Sequence, residues 1–311
     1  MLISRLLVFV PLLLLTGCCV CPKEDKRSIP PPISLHDQLF RLNARAAALD
    51  TLRAKGQVAM DWRDEQGSHS HSADGTMLLR QADAENHPRR DVVIFGRIAG
   101  QDVFEVGANS QFRWLALRTD PPRAYVQVLN PNAESPPLST PPARLPGNIP
   151  FAADRVLDVL ALAPLLETPG TRLVMTVSDR PAVNEVLVLQ IPPDRPAWVE
   201  RIVTIDRRSG EVSQVRLFYP TGLLEAVAHL SEYALVSRPP PAPGDGEPAA
   251  TLEESVNVAL PRKVSIEYPA SQARVQLNFD QLRLDPKLLQ NRQTFTLPDF
   301  QAQGFRMELA R

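Results

Sequence analysis

The sequence predicts a mainly β, α+β fold, in which one large curved antiparallel sheet forms an incomplete barrel around two or so helices. Three observations predict it. Short runs rich in Val, Ile, Phe, Tyr and Trp recur with period-two alternation, separated by Gly, Pro, Asn, Asp and Ser. Helical spacing of apolar residues appears in two stretches, 34–56 and 152–163. Cys18, Cys19 and Cys21 are the chain's three cysteines, so no disulfide staples the body and a packed core must hold it.

The elements follow in order. Ser34-Leu35-His36-Asp37 starts a helix in the manner of a capping box, and Leu35, Leu39, Leu42, Ala46 and Leu49 form its apolar stripe. Gly56 marks where the chain leaves it. Strand patterns follow at 57–62, 75–80, 91–98, 103–106, 111–117 and 125–129, with a polar Ser/His turn before the second. A Pro-rich connection, 131–150, leads to a helix at 152–163 that Pro164 ends. Strands resume at 172–178, 183–191, 198–205 and 211–219, the last two joined by a hairpin loop ending in Gly210. Tyr219-Pro220-Thr221-Gly222 is a turn, and its position between turn signals makes 223–236 a strand. After a second Pro-rich insertion at 239–250, runs at 263–268, 274–284 and 295–297 finish the sheet.

Composition sets limits on function. The 311 residues carry a net charge of −1, with 44% hydrophobic and 22% charged residues, which suits a folded soluble domain. That balance lacks the basic excess that nucleic acid requires as a partner. No GxSxG, HExxH, phosphate loop or dinucleotide fingerprint occurs, so the reading is not an enzyme. His69 and His71 sit among Ser68, Ser70 and Asp74, where a solvated loop outweighs a metal site.

The N-terminus is the most specific signal. Arg5 supplies a basic region, and residues 6–15 an apolar one too short to span a bilayer. Leu15-Thr16-Gly17-Cys18 resembles the bacterial lipobox. That resemblance implies a signal peptide at 1–17, cleavage before Cys18, and acyl chains such as palmitate on Cys18. Two or more chains anchor stably where one does not. Residues 18–33, with charges at 23–27 and Pro30-Pro31-Pro32, read as a lipidated tether. Residues 34–311 read as one domain, with no cofactor apart from the covalent lipid. Cys19, in place of Asp, implies export to the periplasmic face of the outer membrane.

The layout also resembles the lipoprotein-localisation fold of LolA and LolB, and the membrane-anchored LolB-type receptor more than the soluble carrier. The likeness rests on the order of 52–58, of Leu145-Pro146-Gly147-Asn148-Ile149-Pro150 before the helix at 152–163, of Ile205-Asp206 with Ser209-Gly210-Glu211-Val212, and of 260–266. It implies a half-barrel whose apolar cavity takes an acyl chain, lipid or lipoprotein. The strand residues that could build such a wall are Val92, Ile94, Phe104, Val106, Phe112, Trp114, Val126, Val128, Val264, Ile266, Leu277 and Phe279. The same residues could equally be ordinary core beneath the helices. The alternative function is a non-catalytic envelope scaffold or stress-sensor module with a protein partner.

Cys18→Ser is expected to move the chain from the detergent phase to the aqueous phase, or to leave it uncleaved. Detergent partitioning with intact mass measures this, and a variant that still carries diacylglycerol mass contradicts the lipobox assignment.

Overall fold

The computed structural model describes residues 29–64, 67–81, 90–118, 120–128, 155–179, 181–237, 257–291 and 293–309. The signal peptide, Cys18, the two Pro-rich segments and the LolB-like stretch 145–150 lie outside them.

Helix α1 (Leu35–Ala48) starts at Ser34, whose hydroxyl accepts a hydrogen bond from Asp37 N at 3.1 Å. It buries Gln38, Leu42 and Ala46, spaced four apart on one face. The helix stops well before Gly56, because β1 (Thr51–Asp64) already begins at Thr51. Gly56 lies within that strand, at a bulge, opposite Gly75 and Phe279. A Cβ there would fall 1.8 Å from the Asn278 carbonyl oxygen, so this glycine permits close strand approach and is not a helix stop.

Two antiparallel meanders make the sheet. The first runs through β1, β2 (Gly67–Gln81), β3 (Arg90–Ile98), β4 (Gln101–Ala108), β5 (Phe112–Leu117) and β6 (Arg123–Val128). The second runs through β7 (Thr171–Asp179), β8 (Ala182–Gln190), β9 (Trp198–Asp206), β10 (Val212–Phe218), β11 (Leu224–Ser237), β12 (Asn257–Tyr268) and β13 (Ala273–Arg283). Antiparallel pairing of β1 with β13 fuses them, and β14 (Arg306–Leu309) adds in parallel to β6. The result is one curved 14-stranded sheet, ordered β14-β6-β5-β4-β3-β2-β1-β13-β12-β11-β10-β9-β8-β7.

Three local expectations change. The Ser/His stretch is strand, not turn: residues 67–73 extend β2 and pair with β1 along its whole length. The second helix, α2 (Arg155–Val159), is a short helix ended by Ala161 at φ 52°, ahead of Pro164. The run at 295–297 is no strand. A short helix α3 (Lys287–Gln290) and a 3₁₀ turn at Gln293–Phe295 carry the chain across the sheet, and the last strand is β14.

Alternation gives the sheet an inner and an outer face, each with its own core. On the inner face, α1 and α2 pack on residues from both meanders, including Leu52, Val92, Ile94, Val203, Leu217, Ile266 and Leu277. On the outer face, Leu288, Phe295, Phe300 and Phe305 of the C-terminal segment cover Leu78, Val93, Trp114, Ala116, Ala124 and Val126. Phe300 and Phe305 meet edge to face at 5.4 Å, while Arg80 and Arg118 stack on Phe295 and Phe305. Full burial of each such ring stabilises by about 1.5–3 kcal/mol, which explains how an irregular segment stays docked.

Candidate functional site

The inner face and its two helices are the place where this architecture could hold a ligand. The wall is apolar, and the helices above it are fastened by polar contacts at a few positions. Asn43 of α1 clamps the chain beyond α2 in both directions: its Nδ2 donates to Leu165 O and its Oδ1 accepts from Leu165 N, each at 2.8 Å. Arg45 donates through Nη2 to Ala161 O at 2.9 Å, and its Nη1 lies 3.5 Å from Glu211 Oε2. The left-handed turn at Ala161 follows α2 directly, so Arg45 binds the end of one helix to the flank of the other. Farther along α1, the buried Gln38 meets the buried Asn184 of β8 at 3.5 Å.

A second fastening holds α2 to the sheet. Arg201 of β9 donates to Asp158 at 2.6 Å, and Arg155 lies 3.5 Å from both Glu200 and Glu225. Arg201 is buried, so its charge depends on this pairing: removing Asp158 alone would leave a buried cation uncompensated.

Beside Arg45, the Tyr233 hydroxyl donates to Val212 O at 2.7 Å. Burial pushes this hydroxyl up to about 12, against the pull of Arg45. Burial also raises the Glu211 carboxyl, again opposed by Arg45.

The candidate wall residues divide between the two faces. Val92, Ile94, Phe104, Val106, Val264, Ile266, Leu277 and Phe279 come together on the inner face, from 0% to 7% exposed. All eight belong to the buried cluster that also holds residues of α1 and α2. Trp114, Val126 and the half-buried Phe112 belong to the outer core, and Val128 is 64% exposed. The inner-face residues of β5 and β6 are Leu115 and Tyr125, one position away. Trp114 instead donates Nε1–H to Glu105 at 2.9 Å on the outer side.

The polar clamps were absent from the sequence reading. Their one sequence trace is Asn43 and Arg45 lying beside the apolar stripe of α1. Two surface hollows, of about 320 and 520 Å³, are lined by polar residues around His69 and around Lys287, away from the inner face. Among the described residues, no three His, Cys, Asp or Glu side chains are placed to hold a metal ion.

No family model matches the chain, and no curated protein matches it in sequence. Solved structures do match. An outer membrane lipoprotein-sorting protein domain from Vibrio parahaemolyticus superposes with a TM-score of 0.50 at 13% identity, covering 86% of this chain and 97% of its own. A DUF1329-family protein from Desulfovibrio piger gives 0.50 at 8% identity, over 84% and 97%. A LolA-superfamily protein from Nitrosomonas europaea gives 0.44 at 10% identity, over 86% and 99%. At the level of fold, the chain shares the architecture of the first two, one of them a lipoprotein-sorting domain, in keeping with the lipoprotein-localisation fold that its sequence layout resembles.

Tyr233→Phe removes the donor to a buried carbonyl and is expected to cost about 1–3 kcal/mol in denaturant unfolding at neutral pH. Because the folded-state hydroxyl is raised from 10.0 to about 12, its stabilisation is present below pH 10 and lost as pH rises towards 12. Wild type should therefore lose stability relative to the variant over that window. Parallel curves for the two proteins across it would contradict the assignment.

Proposed function

We propose that this chain is a non-catalytic, lipid-anchored envelope protein that takes the acyl chain of a lipid or lipoprotein between the inner face and the α1–α2 pair. The observation that carries the reading is a cover fastened by a few polar bonds over an otherwise apolar wall. Arg45, Asn43, Gln38 and the Asp158–Arg201 pair hold that cover. The ligand enters by lifting the helices. The neutral clamps are worth about 0.5–1.5 kcal/mol each and those made by Arg45 and Arg201 about 1.5–3 kcal/mol each. An acyl chain gains roughly 0.8 kcal/mol per buried CH₂, so a long chain outweighs several clamps and replaces the apolar contacts that the helices give up.

The fold likeness to a lipoprotein-sorting domain supports the envelope setting, and the lipobox at Cys18 supports the anchor. The periplasmic face of the outer membrane is the location that Cys19 favours. One observation favours a second reading: Val92, Ile266 and Leu277 are fully buried, as in a scaffold module whose interior is filled by its own side chains and whose ligand is another envelope protein.

A fluorescent long-chain fatty acid added to residues 34–311 separates the two. Saturable uptake is expected, with co-purifying lipid in native mass spectrometry. Arg45→Ala should bind at least about ten-fold more tightly, since losing a charged clamp worth about 1.5–3 kcal/mol eases opening. Absence of uptake in both proteins would reject the acyl reading in favour of the scaffold.

A further inference from the structure

We infer that strand β7 is a strand-addition site for an extended segment of another protein, apolar on both of its faces. The sheet has two edges. At one, the chain covers itself, with β14 pairing to β6 and Phe300 and Phe305 lying over the outer face. At the other, all nine residues of β7 pair with β8 without a register shift, and among the described residues no further strand pairs with its outer side.

The outward direction of its backbone is fixed by two contacts. Thr171 exchanges hydrogen bonds with Thr168 at 3.0 and 3.4 Å, and Leu173 N–H donates to Glu167 Oε1 at 3.1 Å. Antiparallel alternation then turns the N–H and C=O of Met175 and Val177 outward as well. The chain at 166–168 thus closes the first part of the edge, Arg207 ties Ser178 O and Asp179 to Pro30 O at its far end, and the open part lies between.

That open part lacks the usual protection of an edge. Between Arg172 and Asp179 it has no charge, no proline and no bulge. Val174 on the outer face is 42% exposed and Val177 on the inner face 45%. Val174 also heads an outer-face row, in register with Leu187 and Ile202, both half-buried. This is the arrangement that the C-terminal segment covers at β6, and it sets the chemistry of the occupant: a short extended run with bulky apolar residues on both sides. A second copy of this chain does not fit. Two-fold antiparallel pairing that clears 166–168 sets Asp179 of the second copy against Met175 or Val177, placing a carboxylate on the apolar positions.

The test uses the full-length lipoprotein in phosphatidylcholine nanodiscs with a fluorescein-labelled Ser-Val-Phe-Val-Thr-Lys peptide as probe. Saturable anisotropy is expected, with slowed amide exchange confined to β7. Met175→Pro removes an outward N–H that β8 does not use, and should weaken binding at least ten-fold with little change in melting. An N-methylated peptide, blocked along one edge, should fail against the unaltered protein by a similar factor. Glu167→Ala frees the Leu173 N–H and should tighten binding several-fold. No saturable binding at millimolar peptide, or equal binding of the N-methylated peptide, overturns the site. Self-association through β7, detected by sedimentation and abolished by Met175→Pro, overturns the choice of occupant.

Discussion

Everything on the inner face depends on the pairing of β1 with β13. These strands lie far apart in sequence, yet their ladder joins Arg53–Asp61 to Arg274–Arg283 and turns two local meanders into one sheet. Every other antiparallel strand pair joins strands that are neighbours in sequence. Without this ladder each meander would expose an apolar face that α1 alone could not cover. At the bulge between Lys55 and Gly56 the two backbones approach so closely that position 56 has no room for a side chain.

From that junction the two faces take different roles. The outer face of β2–β6 is sealed by aromatic side chains of the C-terminal segment, each ring contributing a large, non-directional stabilisation. The inner face is closed by α1 and α2, which reach across both meanders and add directional polar bonds that can be broken singly. A contact made of many dispersive pairs resists opening at any one point, whereas a few hydrogen bonds can exchange partners. On the proposed function, opening the inner face costs both those bonds and the apolar contacts that Leu42, Leu49, Val156 and Leu160 make in the inner core.

Fold class and most strands were legible because alternation is a local property of the sequence. Strand 223–236 was placed correctly by its flanking turns, although its own period was ambiguous. The four residues of β14 were not legible, since so short a run carries no period and its partner β6 lies far away in sequence. Nor could the sequence tell inner from outer. Trp114 and Leu115 are adjacent, apolar and both buried, because β5 is covered on both sides, and strands covered on both sides lose their alternation. The clamps escaped for another reason: Asn43 and Arg45 meet partners more than a hundred residues along the chain, and polar side chains beside an apolar stripe ordinarily face water.

The central claim is that α1 and α2 form a cover that lifts while the sheet stays whole. Hydrogen exchange with mass spectrometry, on the protein with and without saturating oleate, addresses it directly. The account predicts faster exchange in Leu35–Ala48 and Arg155–Val159 on adding oleate, with β1 and β13 unchanged. Unchanged exchange in both helices, or loosening of the β1–β13 ladder in step with them, would contradict it.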